Sequence, residues 1–305
     1  MEEGAPSVDP GFSDSLRHEL ALGDLSLAST RPVLRHLLGG GDGTLSDQIV
    51  ARIRGMIHDC ARQLVDTLTD AGDAPADGVE EAASLLQAED GLVAHLHAIA
   101  WEAQLAERIA TRSGIDPVLS PLLQTFAASP EEDRAAAAMQ VLSAQARFVQ
   151  RARRMACPLT ELPPDLFHRA VRALDEIASE FDIAETAAAA LRAAYDERHT
   201  RQGRFAHLMS TLGPESAQAL EVDFAGLSLF ASALAHHLGE DRDTVLLTFA
   251  ERQYARLALT LRAAGLSGGA LQAQFFYLHP DIAVPEPLVA LPSGEARALL
   301  DGATA

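Results

Sequence analysis

Eleven histidines and 43 acidic residues supply this 305-residue chain with raw material for acid–base or metal chemistry, so their spacing decides what they can do. His58-Asp59 in "IHDC" is the dyad that helical metal-dependent phosphohydrolases use as central ligands. Such a centre also needs an earlier histidine, for which His36 can be nominated, and a later aspartate on neighbouring helices. Asp165 with His168, and Asp196 with His199, stand at i and i+3, the geometry of a carboxylate–histidine pair in helical di-iron sites. Those sites also take glutamates from two further helices, and Asp165 follows Pro163-Pro164, where an acidic residue serves as a helix cap. His95 and His97 leave a helix on different sides, and the adjacent His236 and His237 diverge further. The expectation is therefore no resident metal or cofactor. A helical-bundle enzyme or metal binder using His58 and Asp59, or the Asp/His pairs, is the alternative.

Nucleophilic catalysis has no signature here: the chain lacks a GxSxG elbow and a cysteine with an obvious histidine partner. Cys60 and Cys157 lack the short spacing of a zinc or redox motif and read as reduced core thiols of a cytoplasmic protein. "GGGDG" at 39–43 precedes a helix, but without the lysine and flanking strand of a phosphate-binding loop it reads as a linker.

Charge patterning is more distinctive. In "ARFVQRARRMA", Arg147, Arg151 and Arg154 fall at i, i+4 and i+7 and form one helical stripe, with Arg153 to the side. A second cluster, Arg198, Arg201 and Arg204, follows "AAYDE" together with His199 and His207. In a chain of net charge -19 these stripes either pair with carboxylates of neighbouring helices or form a docking surface. Such a surface would take an acidic partner segment, or a phosphorylated or nucleotide ligand, through bidentate arginine contacts.

The stretch "SALAHHLGEDRDTVLLTFAE" (232–251) has the outline of a helix-turn-helix. A recognition helix needs basic and amide side chains near its start, whereas this one opens with Glu240, Asp241 and Asp243 around Arg242. It reads as a helical corner, with Leu-Gly ending one helix and an acidic cap starting the next. The overall charge likewise opposes binding to nucleic acid or anionic lipid. No uncharged run, 224–239 among them, reaches the about 20 residues that span a bilayer, and "MEEGAPSVDPGF" is too acidic for a signal peptide. A cytoplasmic location is expected.

The elements that must position these groups are helices, because Ala, Leu, Glu, Asp and Arg dominate and no alternating run occurs. "TLSDQIVARIRGMIHDCARQLVDTL" aligns Ile49, Ile53, Ile57, Cys60, Leu64 and Leu68 on one face, with Thr44 as its cap. "SPEED" predicts a second start, with Ser129 as cap, Pro130 at the first helical position and Glu132 reaching back; this helix should run to about Ala156. Further starts are expected at Pro163 or Pro164 and at Pro214. The whole reads as all-α, with about a dozen helices in an irregular helical-hairpin array, solenoid-like or a bundle. The break at 157–165 suggests a flexible N-terminus (1–12), helical subdomains at 13–157 and 158–280, and a proline-containing tail with a short helix (281–305).

Three segments together, "TLSDQIVARIRGMIHDCARQL", "ELPPDLFHRAVRALDEIAS" and "DRDTVLLTFAERQYARLALTLRAAGLSGGALQ", are similar to the alphaproteobacterial domain of unknown function 2336 family. That resemblance implies an all-helical, cytoplasmic protein with an accessory or regulatory role, and it carries over no catalytic residue. The functional expectation is a regulatory or adaptor protein that binds another protein through a groove between helical hairpins, with a homo-oligomer also allowed.

Overall fold

The computed structural model describes residues 10–38, 47–72, 75–178, 181–250 and 253–303. Every regular element among them is helical, and fourteen of the α-helices have seven residues or more. In order they are α1 (Pro10–Leu38), α2 (Asp47–Ala71), α3 (Gly78–Ala88), α4 (Asp90–Ser113), α5 (Pro121–Ala127), α6 (Glu132–Arg153), α7 (Pro164–Arg172), α8 (Leu174–Ile177) and α9 (Phe181–Ala194). The chain continues through α10 (Arg201–Leu212), α11 (Val222–Ala225), α12 (Leu227–Leu238), α13 (Arg242–Thr248), α14 (Tyr254–Ala263), α15 (Gly268–Leu278), α16 (Glu286–Ala290) and α17 (Ser293–Ala303). Short 3-10 turns occupy Leu159–Glu161, Glu197–His199 and Gly213–Leu220. The Thr44 cap and the "GGGDG" linker lie outside the described residues, as do residues 1–9 of the expected N-terminal tail; α1 already begins at Pro10.

The six-residue stripe read from α2 is buried throughout. Burying one such aliphatic side chain contributes about 1.5–3 kcal/mol, so the stripe fixes the rotation of α2 against its neighbours. The start of α6 differs in detail from the expected one. Ser129 Oγ does accept from the amide of Glu131 at 3.2 Å, but the helix begins at Glu132 and leaves Pro130 outside. It ends at Arg153, short of Ala156, because Met155 adopts a left-handed φ of 54°. The Ala156 amide then bonds the Arg151 carbonyl at 3.0 Å and the Met155 amide bonds that of Ala152 at 3.3 Å, the double closure of a Schellman stop. Methionine replaces the usual glycine at that stop. The space for it comes from α2, where a Cβ on Gly55 would lie 2.5 Å from Met155 Cβ.

Buried residues gather in two clusters. One unites α2, α3, the first half of α4, residues 157–177 and α9. The other unites α1, the second half of α4, α5, α6 and α10 onward. The cores therefore do not follow the division 13–157 and 158–280: the chain crosses from one cluster to the other at Cys157, and α7–α9 return to pack beside α2 and α3. Helix α4 belongs to both clusters and is buried on several sides, as expected of a helix enclosed by others. It touches α1, α2, α3, α6, α12, α13 and α15, and α1 touches α14 and α17. In a solenoid each hairpin meets only its sequence neighbours; here remote segments close around α4 as a bundle.

The corner forms as read over its described residues, 232–250. Gly239 takes φ 68° after α12, and the Asp241 side chain accepts from the Thr244 amide at 3.1 Å to cap α13. Helix α13, however, buries Arg242 together with Val245 and Leu246. Its one basic side chain belongs to the core.

The close approach of α2 to the α6 stop sets a test. Gly55→Ala should lower stability by about 1–3 kcal/mol through overpacking against Met155. Gly269→Ala, with nothing within 4 Å of the new Cβ, should be neutral or slightly stabilising in the same urea titration.

Candidate functional site

The most charged part of the interior lies where α4, α6, α10, α12 and α13 meet. Glu102, at mid α4, has no solvent exposure and receives two bidentate guanidinium groups. Arg201 reaches Oε1 at 2.8 Å and Oε2 at 2.6 Å; Arg242 reaches Oε2 at 2.9 Å and Oε1 at 2.7 Å. Ser228 Oγ donates to Oε1 at 2.6 Å. Arg201 also donates to Gln145 Oε1 at 3.2 Å, and Gln145 donates to Ser228 Oγ at 2.8 Å. Arg242 Nε is held by Ser232 Oγ at 2.9 Å. The Arg201 guanidinium lies 3.6 Å over the Phe148 ring, a placement that suits a planar cation. Burial alone would raise the Glu102 carboxyl, but Arg201 and Arg242 hold it well below the usual glutamate range.

Beside this network opens a cavity of about 490 Å³, its open mouth included, with His95, Phe148, Arg151, Cys157, Glu161 and Arg201 in its wall. His95 is 3% exposed. Its Nδ1 is 2.5 Å from Asp243 Oδ2, while its Nε2 is buried and has no hydrogen-bond partner. Burial works to lower the His95 pKa, and the Asp243 carboxylate more than offsets it, so the imidazole is raised from its ordinary value. His97, two residues on, has comparable desolvation without a carboxylate and is pushed down to about 4. Asp243 is the main raising influence that His97 lacks.

Cys157 begins the turn after α6 and is clasped by one face of α2. Its amide donates to Asp59 Oδ2 at 2.9 Å, and its carbonyl accepts from Gln63 Nε2 at 3.0 Å. The Cys60 thiol lies 3.2 Å from the same carbonyl. Both cysteines are buried and free, and they are neighbours in space despite their separation in sequence.

The arginine clusters meet, because α10 packs antiparallel to the end of α6, but their members have different roles. Arg201 is a core residue through Glu102. Arg151 Nη1 pairs with Glu161 Oε1 at 2.7 Å, and Glu161 Oε2 accepts from the Arg201 amide at 2.7 Å. Arg198 pairs with Asp196 at 2.8 Å, and Arg204 donates to the carbonyls of His199 and Gln140. Arg147, Arg153 and Arg154 have no ion-pair partner among the described residues.

The proposed metal ligands do not converge. His58 is exposed, whereas Asp59 turns to Cys157, Gln63 and Arg62. Asp165 and His168 are both on the surface. His199 Nδ1 is 3.7 Å from Asp196, whose oxygens already serve Arg198, which holds the Asp196 carboxyl at about 2. His237 Nε2 meets Ser216 Oγ at 3.1 Å. The side chain of His36 lies outside the described residues. Among those residues no group of three or more histidine, cysteine or acidic side chains is placed to hold a metal.

Sequence reasoning missed Glu102, His95 with Asp243, and the meeting of Cys157 with Cys60. One signal was present: Glu102 is the first charge after the uncharged run 91–101, and a lone acid in such a helix calls for a buried cation.

The network predicts a large single-site effect. Arg242→Ala leaves Glu102 buried with half its compensation and should cost about 3–5 kcal/mol in chemical denaturation. The Glu102 contribution is fully present above the unfolded-state value of 4.5 and is lost as pH falls through its much lower folded value. The two histidines act with opposite sign. The His95 contribution is complete below 6.5 and is lost as pH rises through its raised folded value. That of His97 is complete above 6.5 and is lost as pH falls toward about 4. Imidazole NMR titration should place His95 above, and His97 far below, the ordinary histidine value of 6.5.

Comparison with protein families, with curated proteins and with solved structures returns no match to this chain.

Proposed function

We propose that this chain is a regulatory or adaptor protein of the cytoplasm that binds an acidic segment of another protein along the end of α6. The observation that carries the reading is that Arg147, Arg153 and Arg154 stand without ion-pair partners among the described residues, beside a cavity with a largely apolar wall. In a chain of net charge -19, cations left uncompensated favour an anionic partner. By helical periodicity Arg147 and the C-cap Arg154 stand along one edge of the face of α6 that carries Phe148, Arg151 and Ala152 into the cavity wall. An acidic segment lying on the arginines can therefore place one small apolar side chain against Phe148 and Ala152. Met155, 38% exposed at the α6 stop, extends the apolar contact.

The test reverses charge only on the unpaired arginines. In a chain carrying Arg147→Glu, Arg153→Glu and Arg154→Glu, far-UV helicity should be unchanged. Affinity for a glutamate-rich peptide should fall about tenfold or more, since each exposed charge pair contributes about 0.2–1 kcal/mol. Wild-type binding should weaken as salt rises. A protein enriched from the native cells equally by both chains would remove the arginine surface from the reading.

A further inference from the structure

We propose that Cys157 is a reactive thiolate that reduces a small hydroperoxide in the cavity beside His95, with Cys60 as its resolving thiol. The inference concerns the cavity already described but does not depend on partner binding.

Three features of the geometry point there. Cys157 and His95 share the cavity wall, so a buried thiol has a route to solvent. The buried Nε2 of His95 has no hydrogen-bond partner and belongs to an imidazole that Asp243 fixes through Nδ1 at 2.5 Å. When protonated, this ring carries an unpartnered N–H on a residue of the cavity wall, and general acid catalysis needs a free donor near the reacting atoms. Finally, the Cys60 thiol lies 3.2 Å from the backbone carbonyl of Cys157. Helix α2 holds the two together, since Asp59, Cys60 and Gln63 on successive positions of one face all contact Cys157. A resolving thiol is thus next to the first.

Buried cysteines in apolar surroundings are normally inert because burial disfavours the thiolate. Here the hydrogen bond from Cys60 lowers the Cys157 thiol below its ordinary value, with His95 assisting, against the pull of burial and of Asp59 and Glu161. Cys60 moves the other way and stays protonated, as a resolving thiol should before the first step. The two opposing carboxylates are themselves engaged: Asp59 by Arg62, Gln63 and the Cys157 amide, and Glu161 by Arg151 and the Arg201 amide. The enclosed part of the cavity has room for only a few non-hydrogen atoms, which favours hydrogen peroxide over a bulky lipid hydroperoxide.

The chemistry balances as two steps. The Cys157 thiolate attacks one peroxide oxygen and the O–O bond breaks; sulfur is oxidised to the sulfenic acid, and the leaving hydroxide takes a proton from His95 to depart as water. Cys60 then loses its proton and attacks the sulfenic sulfur, the Cys157–Cys60 bond forms, and a second water leaves. Two thiols and one peroxide become one disulfide and two waters. A small dithiol reductant restores both thiols.

The experiment treats the full chain with hydrogen peroxide at neutral pH, with dimedone as the sulfenic acid trap and mass spectrometry as the readout. Wild type should form the Cys60–Cys157 disulfide. Cys60→Ser should stop at a dimedone adduct on Cys157, and Cys157→Ser should give neither product. His95→Gln should slow oxidation roughly tenfold or more, with near-UV circular dichroism confirming the fold. Should that chain fail to fold, Asp243→Asn, which loosens the ring and leaves it in place, should also slow the reaction. The proposal is overturned if native Cys157 oxidises no faster than in the urea-unfolded chain, or if oxidation is insensitive to both His95→Gln and Asp243→Asn. Peptide affinity measured on Cys157→Ser separates this result from the arginine surface: retained binding with lost oxidation is the expected combination.

Discussion

An ionised carboxylate with no access to water, Glu102, sets the constraint that the surrounding elements satisfy. Such a charge is tolerated only when paired and hydrogen-bonded, and no cation on α4 itself supplies the pairing. Arg201 arrives from α10 and Arg242 from α13, with Ser228 from α12 and Gln145 from α6 completing the shell. Two arginines exceed one glutamate in charge, and further carboxylates balance the excess. Glu161 accepts from the Arg201 amide, and Asp243 follows Arg242 in sequence. Those carboxylates meet Arg151 and His95 in turn. The result is an alternation of charge running from α6, through the centre of the bundle, to the first half of α4.

This alternation decides what surrounds the cavity. His95 is oriented because its carboxylate partner is fixed by a cap on α13, and Arg151 is directed at Glu161, away from its stripe. The aromatic face of Phe148 is occupied by a guanidinium that Glu102 has already immobilised. Hydrogen bonds of fixed geometry on both faces of the carboxylate discriminate among packings more sharply than aliphatic contacts do. The adjoining thiols are positioned by a separate device: Asp59 and Gln63 bind the backbone of Cys157, so the α6 stop and α2 form one rigid unit. The left-handed Met155 and the bare face of Gly55 allow the approach.

Much of the fold was legible in the chain. The α2 stripe, the Asp241 cap, the Gly239 stop and the helical character of every described element follow from side-chain periodicity and from the chemistry of helix ends, both local in sequence. Local reading also placed six arginines in two clusters. It could not divide them by role. Arg201 and Arg204 stand one turn apart, and only the presence of Glu102 opposite one of them makes it a core residue. The same holds for the His58-Asp59 dyad, which stands between Ile57 and Cys60 of the stripe; the aspartate is drawn inward by the Cys157 amide and the histidine is left outside.

The sequence by itself determined the class of structure, because helix propensity, capping and an amphipathic period act within a few residues. It also determined the large negative charge and hence the preference for cationic surface to be noticed where it occurs. Tertiary structure alone decided which charges are buried, that the chain closes as a bundle around α4, and that His95, Asp243, Cys157 and Cys60 become neighbours. Those outcomes depend on pairing charges and thiols separated by 97 to 148 residues, and such pairings leave no periodic trace along the chain.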